Sequence, residues 1–212
     1  MPAASSSLLR AVWQLACRRP APRLLVALYL SLRWRCRVWP SARIDWPGRL
    51  RIGPKARLYG CRIIARGRVE LGAGAEVHDY AFLDTQDTAG EIVIGAGSAI
   101  GPFTIILGSG GVFIGKGCSI AGQSMIVAST HVVSDVSRPI RQQGYEAGPI
   151  RIEDDVWLGA QCTVLVGSVI GEGSVVGANS LVRGQVPPRV ICAGTPVTVI
   201  RARDADPHPT AS

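Results

Sequence analysis

The sequence has no apolar run long enough to cross a membrane. Its longest, Leu24 to Leu32, is interrupted by Ser31, whereas a spanning helix needs about 20 residues. No small-x-small cleavage site follows that run, which passes directly into Arg33-Trp34-Arg35, so a removable signal peptide is not indicated. The six cysteines form no CxxC pair and no framework spacing. A disulfide scaffold is therefore excluded in favour of free buried thiols in a reducing compartment. Aromatics are scarce at 6%, and no nucleic-acid-binding motif is present. What is abundant is glycine, with 25 residues, in a chain that is 47% apolar. So much glycine disfavours a helical bundle, and so much apolar content disfavours disorder. An all-β or repetitive architecture remains, in a chain of 212 residues that suits one good-sized core.

Acidic residues are nearly missing from the first third. Through Arg68 there are 15 Lys/Arg against the single acid Asp45, and from Val69 onward 8 Lys/Arg against 14 Asp/Glu. The net +8 thus divides into a basic head and an acidic body. Residues 1–43, with Arg and Trp on one side and Leu on the other, read as a basic amphipathic helical segment suited to a membrane surface. The alternative is that its apolar face packs on the chain's own body or on a neighbouring subunit. A cytoplasmic protein held peripherally at the inner face of the membrane is the expectation.

From residue 44 to 200 a second rhythm dominates. Aliphatics recur at period six: Ile52, Leu58, Ile64; Leu71, Val77, Leu83; Ile94, Ile100, Ile106; Ile114, Ile120, Ile126; and Ile152, Leu158, Val164, Ile170, Val176, Val182. Four residues after each aliphatic the side chain is small, as at Ala56, Ala75, Ser98, Cys118, Cys162 and Ser174, with Arg62 and Arg68 as exceptions in the first coil. Two locked positions at period six fit neither a 3.6-residue helix nor simple alternation. They fit short strands joined by turns, three to a triangular coil, with coils stacking as parallel strands at about 4.8 Å. Cys118 and Cys162 are then core filler rather than nucleophiles. Between Ile126 and Ile152 the spacing exceeds six by 20 residues, placing a loop at 132–149 on an otherwise strict coil. Long loops on rigid scaffolds carry function. Residues 201–212 read as a tail.

Of the three histidines, His208 falls in that tail and His78 in a turn where a solvated role is expected. His131 is the residue from which the loop departs. An imidazole there, titrating near neutrality, can take the proton of a hydroxyl attacking a thioester.

The run from Ile114 to Arg201 resembles the hexapeptide-repeat acyltransferases, particularly maltose/galactoside O-acetyltransferases and those of bacterial surface-polysaccharide clusters. The likeness is carried by His131, Arg138-Pro139-Ile140, Gln143-Gly144, the DDVWLGA run Asp154–Ala160, Val186-Pro187-Pro188, and AGTPVTVIR from Ala193 to Arg201. It implies a left-handed parallel β-helix, a homotrimer with sites between subunits, and acetyl-CoA as co-substrate with no metal. By residue it implies His131 as general base and Trp157 lining the acceptor site. Backbone groups at Ala160 and Ala178 would hold the pantetheine arm, with Arg201 near the nucleotide phosphates. Where the family often carries Thr-Lys this chain has Arg183-Gly184, so the basic partner moves to Arg183. The family's acceptor-orienting Asn has no counterpart at Ile100-Gly101-Pro102, so a galactose or maltose acceptor does not transfer. Glu146 and Asp135 are candidates to orient His131.

The function so implied is O-acetylation of a sugar hydroxyl in a cell-surface polysaccharide or its precursor. Its alternatives are N-acetylation of an amino sugar and a non-catalytic β-helix scaffold. His131 and Trp157 end different hexads, so they would meet only across an interface between prisms.

Overall fold

A computed structural model describes residues 23–204. The chain winds as a left-handed parallel β-helix of triangular cross-section. Its first face is a nine-stranded sheet running from Arg37–Val38 to Val197–Ala202. Its second face has seven strands from Arg43–Asp45 to Leu181–Val182, and its third has seven from Leu50–Ile52 to Gln185–Val186. Every pairing between coils is parallel, and the period-six aliphatics stack in register, as in Ile106 on Ile126 on Val164 on Val182. All four are fully buried. The last strand, Val197–Ala202, turns back antiparallel on Val190–Gly194, so Arg201 and Ala202 belong to the first face rather than to a tail.

The basic N-terminal segment contains one described helix, α1 (Arg23–Trp34); residues 1–22 and His208 lie outside the described residues. Strand pairing begins at Arg37–Val38, earlier than the rhythm of aliphatics reveals. Ala27 and Leu30 of α1 enter the same core as Val38, Ala42 and Leu50, so the helix closes the first coil's open end. No described helix is long and apolar enough to cross a membrane.

The first full coil corrects the sequence reading. The turn at Tyr59-Gly60 is one residue short, so Ile63, not Ile64, stacks on Leu83. The small inward slots are then filled by Cys61 and Val69, both essentially fully buried. Arg62 and Arg68 point outward and pair with Asp45 and Glu91 respectively. The rule of small inward residues thus has no arginine exceptions; the chain slips phase instead.

Polar residues in the slot do a second task. Ser98 Oγ donates to the Gly115 carbonyl at 2.7 Å and accepts from the Cys118 N–H at 2.9 Å. Ser174 Oγ likewise donates to the Pro187 carbonyl at 2.7 Å and accepts from the Val190 N–H at 3.3 Å. Each hydroxyl satisfies a donor and an acceptor left over where the strand turns the corner. Cys118 and Cys162 take the donor half of this arrangement, to the Glu153 and Gly177 carbonyls at 3.0 and 3.1 Å. Burial raises both thiols, and it pushes Cys61 up to about 12, which keeps them un-ionised and unreactive.

The glycine after the aliphatic is demanded by space. A Cβ on Gly95 would lie 2.3 Å from the Gly115 carbonyl oxygen of the next coil. Gly97 differs: its φ is +70° and a Cβ there meets nothing. Equivalent turn positions elsewhere hold Lys55 and Asp155 at positive φ. Gly95→Ala is therefore expected to cost about 1–3 kcal/mol as overpacking, and Gly97→Asn less than about 1 kcal/mol because Asn tolerates the left-handed region. Thermal melts of the two variants giving the reverse ranking would refute this account.

Candidate active site

The excursion at the corner between the second and third faces is a two-stranded antiparallel ribbon, Ser129–His131 with Tyr145–Ala147. It starts three residues before the loop read from the sequence, so His131 is the last residue of a strand. Its cross-strand partner is Tyr145, and the two rings pack with centroids 4.2 Å apart and planes tilted 40°. Both side chains are solvent-exposed.

The tip of the ribbon is self-organised. Gln143 accepts from the Asp135 N–H at 3.0 Å and donates to the Asp135 and Arg138 carbonyls at 2.8 and 2.9 Å. Asp135 Oδ1 accepts from the Ser137 N–H and hydroxyl at 3.0 and 2.6 Å. Pro139 leads into a single 3₁₀ turn, Ile140–Gln142. The Arg-Pro-Ile and Gln-Gly pieces of the sequence therefore shape the loop.

Neither candidate orienter reaches His131. Asp135 is occupied in its own turn, and Glu146 sits opposite Thr130, so alternation along the strand puts it on the other side of the ribbon. Tyr145, which sequence spacing does not single out, is the side chain against the imidazole. Only cross-strand register identifies it.

The other predicted residues divide between corners. Ala160 and Ala178 stack one coil apart at the corner between the first and second faces, both exposed. The Ala160 carbonyl accepts from the Asn179 N–H at 2.9 Å. The N–H groups of Ala160 and Ala178 have no partner among the described residues and form a strip of donors. Trp157, 55% exposed, projects from the first face three residues before Ala160. Arg183 lies at the same corner as the His131 ribbon, two coils further on. Arg201 is on the closing strand of the first face, opposite Ile191. His78, expected in solvent, has a side chain 37% exposed and also stacks on Tyr59 at 4.9 Å with Nε2 3.5 Å from Glu76.

One chain thus carries two candidate half-sites, one on either side of its second face. The outer surface of that face is apolar over several coils. Ile105, Met125, Thr163 and Leu181 stand in one register column, with Leu107, Val127 and Leu165 in the next. Parallel sheets are ordinarily covered on both sides. Two surface concavities of about 530 and 600 Å³ open on the N-terminal coils, and neither is lined by His131, Trp157 or Ala160.

Comparison with known proteins places this architecture. The family model described as bacterial transferase hexapeptide (six repeats) matches residues 149–184. A protein of Mycobacterium tuberculosis named as a probable acetyltransferase is 32% identical over 162 residues, covering 69% of this chain and 54% of that protein. WbbJ of Escherichia coli, named for lipopolysaccharide biosynthesis O-acetyl transfer, is 37% identical over 97 residues, covering 42% of this chain and 50% of WbbJ. The matched stretches span about half the length of each of these relatives. Among solved structures, a variant of AntD, an N-acyltransferase from Bacillus cereus in complex with dTDP-4-amino-4,6-dideoxyglucose and coenzyme A, superimposes with a TM-score of 0.61 at 22% identity. That likeness covers 81% of this chain and 82% of AntD, and it concerns the fold. In its repeat, its coil and its sequence relatives the chain is similar to the hexapeptide-repeat acyltransferases, and it carries the bacterial transferase hexapeptide repeat at residues 149–184.

Proposed function

We propose that the protein is an acetyl-CoA-dependent O-acetyltransferase acting on a sugar hydroxyl of a cell-surface polysaccharide or its precursor, working as a homotrimer. The observation that carries this reading is the position of the two half-sites on opposite edges of one apolar face. When three prisms turn their second faces toward a common axis, the edge bearing His131 and Arg183 of one abuts the edge bearing Ala160 and Ala178 of the next. Burying that face supplies the association energy. The groove so formed holds a base on one wall and a strip of backbone donors on the other.

In that groove His131 takes the acceptor's hydroxyl proton as its oxygen attacks the thioester carbonyl. The C–S bond breaks, and the proton passes to the departing CoA thiolate. Backbone N–H groups stabilise the tetrahedral oxyanion on the way. Ala160 and Ala178 hold the pantetheine arm, Arg183 and Arg201 meet the phosphates, and Trp157 lines the acceptor side. The likeness to WbbJ, named for O-acetyl transfer, supports a hydroxyl acceptor. The likeness in fold to AntD, an N-acyltransferase bound to an amino-sugar nucleotide, favours an amine acceptor as the second reading. A paired acceptor panel separates the two, because the linkage formed is an ester in one case and an amide in the other.

The donor site is tested without knowing the acceptor. Acetyl-CoA or CoA at ~100-fold its Kd is expected to stabilise the protein by about 2.7 kcal/mol. The exposed-corner variant Ala160→Arg is expected to lose that shift while melting normally by itself. Absence of any shift with either ligand would leave the scaffold reading in possession.

A further inference from the structure

We infer that the N-terminal end of the prism is a docking surface for an anionic lipid membrane. α1 divides into two faces: Ala27 and Leu30 are buried in the coil core, whereas Leu24, Leu25, Leu28 and Leu32 are 61%, 47%, 53% and 68% exposed. On a helix these four leucines form a continuous stripe opposite the buried one. Four aligned exposed leucines at one end of a molecule are a patch rather than scattered surface residues.

Charge says what covers the patch. On the later N-terminal coils the arginines are neutralised by the chain itself: Arg57 by Glu76, Arg66 by Asp84, and Arg68 by Glu70 and Glu91. At the capped end this stops. Arg23, Arg33, Arg35, Arg37 and Arg43 are exposed and form no ion pair among the described residues. Asp45, the only acid before Glu70 in the sequence, is engaged by Arg62. Arg33 also lies over the Trp34 ring at 5.1 Å, an arrangement that suits a headgroup layer. The 22 residues leading into α1 add three arginines and no acid. A leucine stripe on a helix flanked in sequence by unpaired arginines matches acyl chains beneath anionic headgroups, each Arg near such a surface contributing about 1 kcal/mol. An acidic protein would neutralise the arginines but offer the leucines no reason to be apolar. A second copy would bring like charges together. Docked this way, the ribbon bearing His131 stands four coil rises, about 19 Å, beyond the first coil, with α1 between that coil and the lipid, and stays open to solvent.

The test uses the full chain and vesicles of phosphatidylcholine with or without about one-third phosphatidylglycerol. Co-sedimentation is expected with the anionic vesicles, at least ~10-fold weaker with pure phosphatidylcholine and weakened by salt. Leu28→Glu/Leu32→Glu changes exposed positions only and should keep the wild-type melting temperature while losing at least ~10-fold in vesicle binding. Undiminished binding by that double variant would assign lipid contact to another segment and overturn the proposal, as would failure of the wild type to bind. Sedimentation without lipid is the third arm. A wild-type assembly that shrinks in the double variant would show the face covered by protein and overturn the proposal too.

Discussion

Replacing His131 with Ala is expected to lower acetyl transfer by at least ~10²-fold, about 2.7 kcal/mol of lost transition-state stabilisation. Stability should stay within about 0.5 kcal/mol of wild type, because the side chain is an exposed one at a ribbon edge. The thermal shift with acetyl-CoA should persist, since the donors at Ala160 and Ala178 belong to the other half-site. Those three readouts together distinguish a proton-transfer role from damage to the scaffold or to the donor groove. A steady-state assay in which His131→Ala retains most of its transfer rate would remove the catalytic assignment, whatever CoA binding does.

The second expected result is recovery of activity on mixing two inactive proteins. His131→Ala removes the base, and Ala160→Arg blocks the donor strip; each homotrimer should be inactive. If every site takes His131 from one protomer and Ala160 from its neighbour, a mixed ring contains one intact site. Random re-association of equal amounts after denaturation and refolding then restores about a quarter of wild-type activity, given three-fold closure. A site contained within one chain predicts none. The same logic makes the apolar second face essential: Val127→Arg, in the column with Leu107 and Leu165, should abolish both assembly and complementation. Mixtures that stay inactive although mixed trimers form would refute the shared site.

The stacking of the coil is readable from two positions at period six, because each strand must send one bulky and one small side chain into a narrow triangular core. The reading fails where a turn is one residue short. At Tyr59-Gly60 the period breaks, and constant spacing puts Arg62 in the slot that Cys61 fills, because Ile63 is the residue that stacks on Leu83. Periodicity assumes constant turn length, and a solenoid obliges only the stacking to be constant. The N-terminal coil escapes the pattern for a related reason: Val38 and Ala42 occupy inward positions with α1 as their neighbour on one side, so they do not repeat with what precedes them.

His131 is legible as the root of the one large excursion from the repeat, and Trp157 and Ala160 as parts of a local motif. Their neighbours in space are not. Tyr145 meets His131 through a pairing across 14 positions of chain, and Asp135 and Glu146, nearer in pattern, are excluded by a turn and by strand alternation. Local spacing and composition were enough to specify the coil, most of its phase, its basic end and the residue types available for chemistry. Three-dimensional packing alone settled which corner each residue occupies and which faces remain uncovered. Corner position depends on the summed lengths of all preceding turns, and the outward register depends on stacking between coils. Those two facts put His131 and Ala160 on opposite edges of one face.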